Sequence, residues 1–402
     1  MILALAWKNI WRSKRRSFVV IGAIIVGVWS LIFMFAFYNS FIEAFSRNGV
    51  NHDYSHIQIH NEDYLLEPGL EFQLSDVNQM ETTLDQMAEV QSWSARQIVN
   101  GMLASPKTNV GVQIYGVQPA AEGETTGLEE QLVDGTYFET IKRNPILISE
   151  KLADKLKVKV RSKVVITLQN LDREITAASF RVEGIFKSKS PRINEAGVYV
   201  RFSDLSRLTA VDGINEIAVY LNNSEQILLV KESLAASTTD LVRTYREIAP
   251  EFDMMEQQSA TTKQIVTVII MLALLFGIVN TMLMAVLERT KEIGMLRSIG
   301  MHKKSVFKMI ILETCMMSII AGPIGLILGY LTNTWLGTNG MDLSSYATAL
   351  EQYGMDAIFY PSISNATYPA LMMVVILTAF LGAIYPAIKA IRLNPLEAIR
   401  KL

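Results

Sequence analysis

Three of the four histidines in this chain lie close together in the sequence, as His52, His56 and His60. Imidazole is a common zinc ligand, and three imidazoles on one face could form a metal centre. However, Ile57 and Ile59 alternate with polar residues, as in a strand, and residues four apart on a strand are separated by about 13 Å. Because that distance is too large for one ion, we predict no metal site here.

Other signatures of catalysis are absent from the sequence, which has no G-x-x-x-x-G-K-[ST] phosphate loop, H-E-x-x-H pair or G-x-S-x-G elbow. The single cysteine, Cys315, excludes an internal disulfide and a cysteine-rich metal centre. A net charge of −2 and the lack of a basic, aromatic-interleaved stripe argue against nucleic-acid binding. We therefore predict no catalytic residue, no directly bound cofactor and no nucleic-acid partner.

The densest group of charged residues is the stretch 288–304, ERTKEIGMLRSIGMHKK, which lies between two long apolar segments. It carries five basic residues and two acidic ones: Arg289, Lys291, Arg297, Lys303, Lys304, Glu288 and Glu292. A charged hairpin between two membrane spans lies on one side of the bilayer, and its positive excess predicts the cytoplasmic side. Because most other polar sequence lies on the opposite side, we expect the protein to pass force or signal between the two.

The elements that position this hairpin are apolar segments long enough to cross a bilayer. Residues 18–41 contain no charge over 24 positions, and such a helix is about 36 Å long, against ~30 Å of hydrocarbon. The run is too long for a secretory signal core, so we expect an uncleaved anchor. The predicted transmembrane helices are 18–42, 263–287, 306–335 and 368–387.

The ends and loops follow the positive-inside rule. Segments 1–17, 288–305 and 388–402 together hold fourteen Lys and Arg residues and three acidic ones, whereas loop 336–367 has three acidic residues and no basic one. This asymmetry predicts cytoplasmic N- and C-termini. In 1–17, tryptophans and basic residues at helical spacing indicate an amphipathic helix in contact with membrane lipids, although an ordinary positive flank is an alternative.

Residues 43–262 change character and contain alternating strand patterns, turn signals and short helical stretches. About 220 residues can bury a core of their own. We predict an α-helical membrane protein with a large α+β extracytoplasmic domain of two lobes between the first and second spans. The middle lobe is placed at about 110–210, with Pro145 and the turn at Gly213 as candidate seams.

The third predicted span contains Ala321, Gly325 and Gly329 at intervals of four, which aligns them on one helix face for close helix packing. Glu313 lies inside the same span and should face protein or water instead of lipid. We expect this glutamate to have a packing or interfacial role, with a substrate or proton site as the alternative.

The pattern resembles the permease subunit of MacB/FtsX/LolC-type ABC transporters across essentially the whole chain. The hairpin is the most specific stretch, followed by 385–400 with its Tyr-Pro-Ala, and by Leu5-Ala6-Trp7-Lys8-Asn9 near the N-terminus. Residues 146–165 are similar to the family's middle lobe, although Arg161-Ser162 stands where that family usually has Gly-Asp. The resemblance implies a bacterial inner-membrane protein with a periplasmic domain.

The resemblance also implies partners. Two permease chains, identical or homologous, pair with two copies of a separate ATPase, which uses ATP and Mg²⁺ and binds the hairpin as a coupling helix. Gly294 and Gly300 are expected to permit tight turns and close backbone approach, and Ile293, Leu296 and Ile299 to form an apolar contact face. The full set of expected coupling residues is Glu288, Arg289, Lys291, Glu292, Ile293, Gly294, Leu296, Arg297, Ile299 and Gly300.

Substrates differ within that family. The strand sequence at 56–60 looks most like that of the lipoprotein-releasing permeases, which pass lipoproteins from the inner membrane to a periplasmic carrier. The alternatives are an efflux permease for peptides or antibiotics with a periplasmic adaptor, and a signalling permease that controls a cell-wall hydrolase. A membrane-anchored enzyme is disfavoured because no catalytic constellation is found.

Overall fold

The computed structural model describes residues 2–12, 14–66, 68–140 and 143–392, and the predicted tail lies outside them from position 393 onward. The chain divides into two compact units. The membrane unit consists of Met1–Ile42, Glu256–Leu343 and Ile358–Leu402, and the domain unit consists of Glu43–Met255 and Ser344–Ala357.

The helices, in chain order, are α1 (Ile2–Arg12), α2 (Lys14–Gly49), α3 (Val77–Gln86), α4 (Pro119–Thr126), α5 (Glu150–Leu156), α6 (Pro191–Ala196), α7 (Phe202–Thr209), α8 (Ile227–Ala235), α9 (Tyr245–Ile248), α10 (Glu251–Glu288), α11 (Thr290–Ser298), α12 (Lys303–Asn339), α13 (Ala347–Glu351) and α14 (Thr367–Ile391). A π-turn, Val50–Tyr54, continues α2. Among the described residues, four helices are long and apolar enough to cross a membrane: α2, α10, α12 and α14.

Each of these helices extends beyond its predicted apolar segment. The first was predicted to end at residue 42 and continues to Gly49, and the second was predicted to start at residue 263 and begins at Glu251. With 36 and 38 residues, they are about 54 and 57 Å long and exceed the ~30 Å hydrocarbon core. Polar residues continue these helices because a helix satisfies its backbone hydrogen bonds in water as well as in lipid.

The strands are β1 (Ile57–His60), β2 (Val90–Ala104), β3 (Asn109–Val117), β4 (Leu132–Gly135), β5 (Pro145–Ser149), β6 (Lys163–Gln169), β7 (Ile175–Phe186), β8 (Gly197–Arg201), β9 (Glu216–Leu221), β10 (Leu241–Thr244), β11 (Met341–Asp342) and β12 (Ile358–Phe359). The first ten belong to one sheet, and β11 pairs with β12. The loop predicted at 336–367 thus contains two short strands and helix α13.

One lobe of the domain unit is a closed barrel. Strands β2, β3, β8, β5, β7 and β6 pair in that order, and β6 pairs back onto β2. A small barrel is filled by its inward-facing side chains, and the buried core here includes Leu103, Ile114, Ile148, Ile166 and Phe180. The barrel includes residues 96–104 of β2, so this lobe begins earlier than the predicted position near 110. Pro145 was predicted as a seam between lobes, but it is the first residue of β5 inside the barrel.

The other lobe is an open antiparallel sheet of β10, β1, β9 and the first half of β2. Residues of α3 and α8 share its apolar core, which contains Ile57, Ile59, Leu84, Val219 and Leu234. Strand β2 pairs with β9 up to Arg96 and with β3 from Arg96 onward. The two lobes therefore share one continuous strand, and Arg96 marks the position where its pairing changes.

A buried ionic row crosses the sheet at this position. In the strand register, His60 of β1 lies opposite Glu216 of β9, and Glu216 lies opposite Arg96 of β2. The Arg96 guanidinium donates to Glu216 Oε1 at 2.8 Å, and to Glu122 of α4 at 2.9 and 2.8 Å. Burial alone would lower the pKa of Arg96, but the two carboxylates raise it well above its ordinary value. The guanidinium therefore remains charged in the protein interior.

His60 lies at one end of the row, and its ring is stacked on Tyr64. Its Nε2 lies 2.9 Å from Gln58 Oε1 and 3.7 Å from Glu216 Oε2. Burial lowers the pKa of His60, and Arg96 acts in the same direction, while the Glu216 carboxylate opposes this. All four residues of β1 are buried, so the polar side chains that alternate with Ile57 and Ile59 also lie in the protein interior.

We predict that His60→Gln reduces the acid sensitivity of the protein. An ordinary histidine has a pKa of about 6.5, so the unfolded chain binds a proton before the folded chain does, and the free energy of unfolding falls as the pH drops below about 6.5. Thermal unfolding of the full chain in detergent between pH 7.5 and 5 would measure this slope. His302→Gln, at an exposed position, should retain the wild-type slope, and an unchanged slope in His60→Gln would contradict the prediction.

Candidate functional site

The hairpin predicted at 288–305 contains a short helix. Helix α10 ends at Glu288, α11 occupies Thr290–Ser298, and α12 begins at Lys303. A nine-residue helix is about 14 Å long. The structure thus provides a compact helical segment between the second and third spans.

Gly300 ends this helix in a defined motif. The Met301 N–H donates to the Leu296 carbonyl at 3.0 Å, and the Gly300 N–H donates to the Arg297 carbonyl at 3.1 Å. This pair of bonds is the Schellman motif, which requires a positive φ at the residue after the cap. Gly300 has φ +102°, a conformation open to glycine and unfavourable for residues with a Cβ. The turn predicted at Gly300 is therefore present, with a backbone reason for the glycine.

Arg289 joins the start of α11 to two other helices. Its Nη1 donates to Glu313 Oε1 of α12 at 3.2 Å, and its Nη2 donates to the Asn9 carbonyl of α1 at 3.0 Å. The side chains of Arg289 and Glu313 are only 14% and 7% exposed. The charge of Glu313 inside a span is thus compensated by protein, as predicted for an ionisable residue at this depth.

A second contact between α1 and α11 lies at the surface. Arg12 binds Glu292 through two parallel bonds, Nη1 to Oε2 at 3.1 Å and Nη2 to Oε1 at 2.5 Å. Because these side chains are 65% and 40% exposed, solvent weakens the pair, and it contributes less than about 1 kcal/mol. Arg12 therefore orients α11 more than it stabilises the fold.

Helix α1 is amphipathic, with one face packed in the membrane unit. Ala6 and Ile10 are fully buried, and the Ser17 hydroxyl donates to the Ile10 carbonyl at 2.7 Å. Leu3, Trp7 and Trp11 are exposed on the other side. Tryptophans at such positions suit the headgroup region of a bilayer.

The structure divides the predicted coupling residues into exposed and buried groups. Glu288, Lys291, Ile299 and Gly300 are exposed. Glu292, Leu296, Arg297 and Arg289 are partly buried, and Arg297 Nη1 donates to the Ile391 carbonyl at 3.4 Å.

Two residues of that set are corrected. Ile293 packs in the core of the membrane unit and is 5% exposed, so its side chain is not available at the surface. Gly294 was expected in a turn, but it lies within α11 and is buried. The apolar surface of α11 includes Met295 instead, which is 58% exposed beside Ile299 at 78%. Lys291, Met295 and Ile299 lie four apart, a helical spacing that could have identified Met295 from the sequence.

Two of the three small residues predicted for helix packing, Gly325 and Gly329, lie against the first span. An added Cβ on Gly325 would lie 2.8 Å from Val28 Cβ, and one on Gly329 would lie 2.5 Å from Ile32 Cδ1. Ala321 is fully buried in the same core. Small side chains at these positions thus allow α12 to approach α2 closely.

The histidines that were considered as metal ligands in the sequence lie outside the hairpin. Within the ranges that the structure describes, no group of three His, Cys, Asp or Glu side chains could hold an ion. His52 lies in the π-turn after α2, whereas His60 lies in β1 against Gln58 and Asn215. His52 and His60 thus have separate surroundings.

We predict that Arg289→Ala destabilises the protein far more than Arg12→Ala does. Removing Arg289 leaves the Glu313 carboxylate buried without its partner, which costs about 3–5 kcal/mol. Arg12→Ala removes an exposed pair and should cost less than about 1 kcal/mol. Denaturant or thermal unfolding of both full-length variants in one detergent would measure the difference. Equal losses in the two variants would contradict a structural role for the Arg289–Glu313 pair.

Two family models match the sequence, and together they extend from residue 17 to residue 395. Residues 17–237 match the MacB-like periplasmic core domain, and residues 265–395 match the FtsX-like permease C-terminal region. The first match contains the barrel and most of the open sheet. The second contains α11, α12 and α14.

The chain is also similar to relatives with assigned names. The chain is 21% identical over 299 residues to the lipoprotein-releasing system transmembrane protein LolC of Xylella fastidiosa, covering 71% of this chain and 72% of that protein. It is 26% identical over 286 residues to the macrolide export ATP-binding/permease protein MacB of Nitrobacter winogradskyi, covering 67% of this chain and 41% of that protein.

Solved structures of two transporter domains are also similar. The periplasmic region of MacB from Actinobacillus actinomycetemcomitans is 12% identical, with a TM-score of 0.35, covering 53% of this chain and 96% of that structure. The extracellular domain of the transporter YknZ is 14% identical, with a TM-score of 0.34, covering 47% of this chain and 98% of that structure. From the matches to the two family models, the chain belongs to the MacB/FtsX/LolC family of ABC transporter permeases and is a multi-pass membrane protein with a periplasmic α+β domain between its first two spans.

Proposed function

We propose that α11 is the docking helix for a separate ATPase subunit, whose cycle of ATP binding and hydrolysis moves the spans of this permease. The observation that carries this proposal is the exposed row of Lys291 and Met295 on α11 with Ile299 at its C-cap. This helix is fixed to α1 and α12 through Arg289. Exposed apolar residues beside charged ones are typical of a protein interface. Because α11 is joined to α10 at one end and to α12 at the other, a displacement of α11 can pass into both spans.

The chemistry of hydrolysis belongs to the partner in this proposal. Family membership implies an ATPase partner, and the sequence has no phosphate loop with which this chain could hold ATP and Mg²⁺. Lys291 is an exposed charge that can pair with a residue of the partner. Arg289 and Arg297 position the helix instead of contacting the partner, since both make hydrogen bonds inside the membrane unit.

The same proposal includes the orientation of the chain. The positive segments 1–17 and 288–305 face the cytoplasm, where an ATPase has access to ATP, and the C-terminal tail lies on the same side. The membrane is then the bacterial inner membrane, and the domain unit lies in the periplasm.

A second permease chain completes the transporter. Only 17% of the most apolar window of α10 is buried within the chain, compared with 50% for α12. Its exposed apolar residues include Ile265, Ile269, Leu272 and Phe276. Lipid can cover such residues, but two transporter halves that move together require a shared surface, and α10 offers the largest uncovered one among the described spans. An identical or a homologous chain could supply the other half.

For the substrate we propose lipoproteins, which the transporter extracts from the inner membrane and passes to a periplasmic carrier. Support comes from the relative LolC, whose aligned part covers similar shares of both chains. The second candidate is efflux of a macrolide or peptide with a periplasmic adaptor, which the somewhat more identical MacB relative favours.

We predict that Ile299→Glu weakens ATPase binding without unfolding the permease. A side chain at the centre of an interface contributes about 2 kcal/mol or more, so the dissociation constant should rise about thirtyfold. Binding of the purified ATPase to the permease in nanodiscs would measure this change. Leu228→Glu is a matched control, because Leu228 is 70% exposed on α8 of the periplasmic domain. Equal binding by the Ile299→Glu and Leu228→Glu variants would contradict docking at α11.

We also predict that the permease purified with its ATPase retains bound lipoprotein and releases it when ATP and Mg²⁺ are added. Mass spectrometry of the detergent-purified complex would identify acylated protein before and after ATP addition, with ADP as the control. If no lipoprotein is present and macrolides or peptides stimulate hydrolysis instead, the efflux alternative replaces our proposal.

A further inference from the structure

The segment between the third and fourth spans returns to the periplasmic domain. Helices α12 and α14 belong to the membrane unit, yet Ser344–Ala357 belongs to the domain unit. The sequence predicts a plain acidic loop here. The structure instead shows two separate attachments, one at the base of the loop and one at its tip.

The base is fixed within the membrane unit. Strands β11 and β12 pair in antiparallel register, Met341 with Phe359 and Asp342 with Ile358. Ser40 of α2 donates to the Tyr360 carbonyl at 3.0 Å, and the ring of Phe41 stacks on Phe359. The base therefore has little freedom to move away from α2.

The tip is fixed within the domain unit, where its backbone makes unusually close contacts at Gly354. The Asn48 amide donates to the Gly354 carbonyl at 2.6 Å, and a Cβ added at Gly354 would lie 2.0 Å from the carbonyl oxygen of Lys189. Gly354 has φ +67°, and the next residue, Met355, is 3% exposed. Only glycine allows this approach of two backbones.

Charge complementarity accompanies the backbone contact. Lys187 pairs with Glu351 at 3.1 Å, and Lys189 pairs with Asp356 at 2.7 Å. Each pair is weak by itself because all four side chains are about half exposed. Together they align the acidic tip with a basic stretch that follows β7 of the barrel. We call this stretch loop 187–192, although its last two residues begin α6.

The same basic loop also holds the end of the first span. Arg192 Nε donates to Asp53 Oδ1 at 2.8 Å, and the Ser190 hydroxyl donates to Asp53 Oδ2 at 2.9 Å. Asp53 lies in the π-turn that continues α2. Loop 187–192 is therefore a junction where the continuation of α2 and the tip 344–357 both meet the barrel.

We propose that residues 344–357 are a strap through which the third and fourth spans move the barrel lobe. Along the chain, α2 leads into β1, and β10 leads through α9 into α10, so both direct connections from the first two spans enter the open-sheet lobe. The strap joins the other two spans to the barrel instead. This inference rests on the proposed function, because it assumes that the ATPase moves the spans.

The first test is whether the strap is docked in the full-length permease. Hydrogen exchange of 344–357 should be slow in the wild type and about tenfold faster in Gly354→Ala, a change equivalent to ~1.4 kcal/mol. Lys187→Ala/Lys189→Ala, at exposed positions, should accelerate exchange less and keeps the test valid if Gly354→Ala does not fold. Equally fast exchange in the wild type and the variants would overturn the proposal.

The second test is transmission, measured on the complex with its ATPase in nanodiscs. ATP should change hydrogen exchange in loop 187–192 of the wild type, and Gly354→Ala should lose most of that change while hydrolysing ATP at a similar rate. Lys189→Asp should weaken the response, and the double variant Lys189→Asp/Asp356→Lys should restore it. If a variant with an undocked strap shows the full ATP response in loop 187–192, the proposal that the strap transmits motion is wrong. No ATPase binding and no ATP response in the wild type would instead contradict the proposed function itself, and the strap's role with it.

Discussion

The guanidinium of Arg289 lies between the Glu313 carboxylate and the Asn9 carbonyl, and the geometry of the hairpin depends on this arrangement. An ionised carboxylate within a span is costly unless a partner compensates it. Arg289, which precedes the first residue of α11, is thereby fixed to both α12 and α1. The exposed row on α11 then has a defined position relative to the spans, which an unattached loop would lack.

A comparable constraint acts in the periplasmic domain. Arg96 lies where β2 exchanges one partner strand for another, and it is compensated by Glu122 and Glu216 from two further elements. A buried charge tolerates little displacement, because the loss of one partner leaves the other unpaired. The barrel and the open sheet are thus joined by a continuous strand and by a buried ionic contact at the same position.

The barrel and the open sheet are connected to the spans in different ways. Closed barrels and close-packed cores resist deformation, so displacement is transmitted by elements that move as units. The ends of the first two spans continue into the open sheet, whereas the basic loop 187–192 receives both Asp53 and the tip at Gly354. In the strap proposal, this junction is where the barrel receives the motion of the spans.

The sequence alone was sufficient for the four spans and for a two-lobed domain between the first two of them. Uncharged runs such as 18–41 must form helices across a bilayer, because hydrocarbon offers no partner for a free backbone group. The charge excess of 288–304 and its motif led to the family, which the family models confirm. The polar domain and its division into two lobes followed from composition and alternating patterns. These features depend on local sequence and on the membrane as a solvent.

Contacts between distant residues were decided only by the tertiary structure. The sequence could not show that β6 closes a barrel onto β2, nor that Ile293 is buried while Met295 is exposed, because both depend on what packs against the element. The pairing of Arg289 with Glu313 joins residues 24 positions apart, and that of Lys189 with Asp356 joins residues 167 positions apart. Residue types restrict which pairs are chemically possible, but the packing of the chain selects which of them meet.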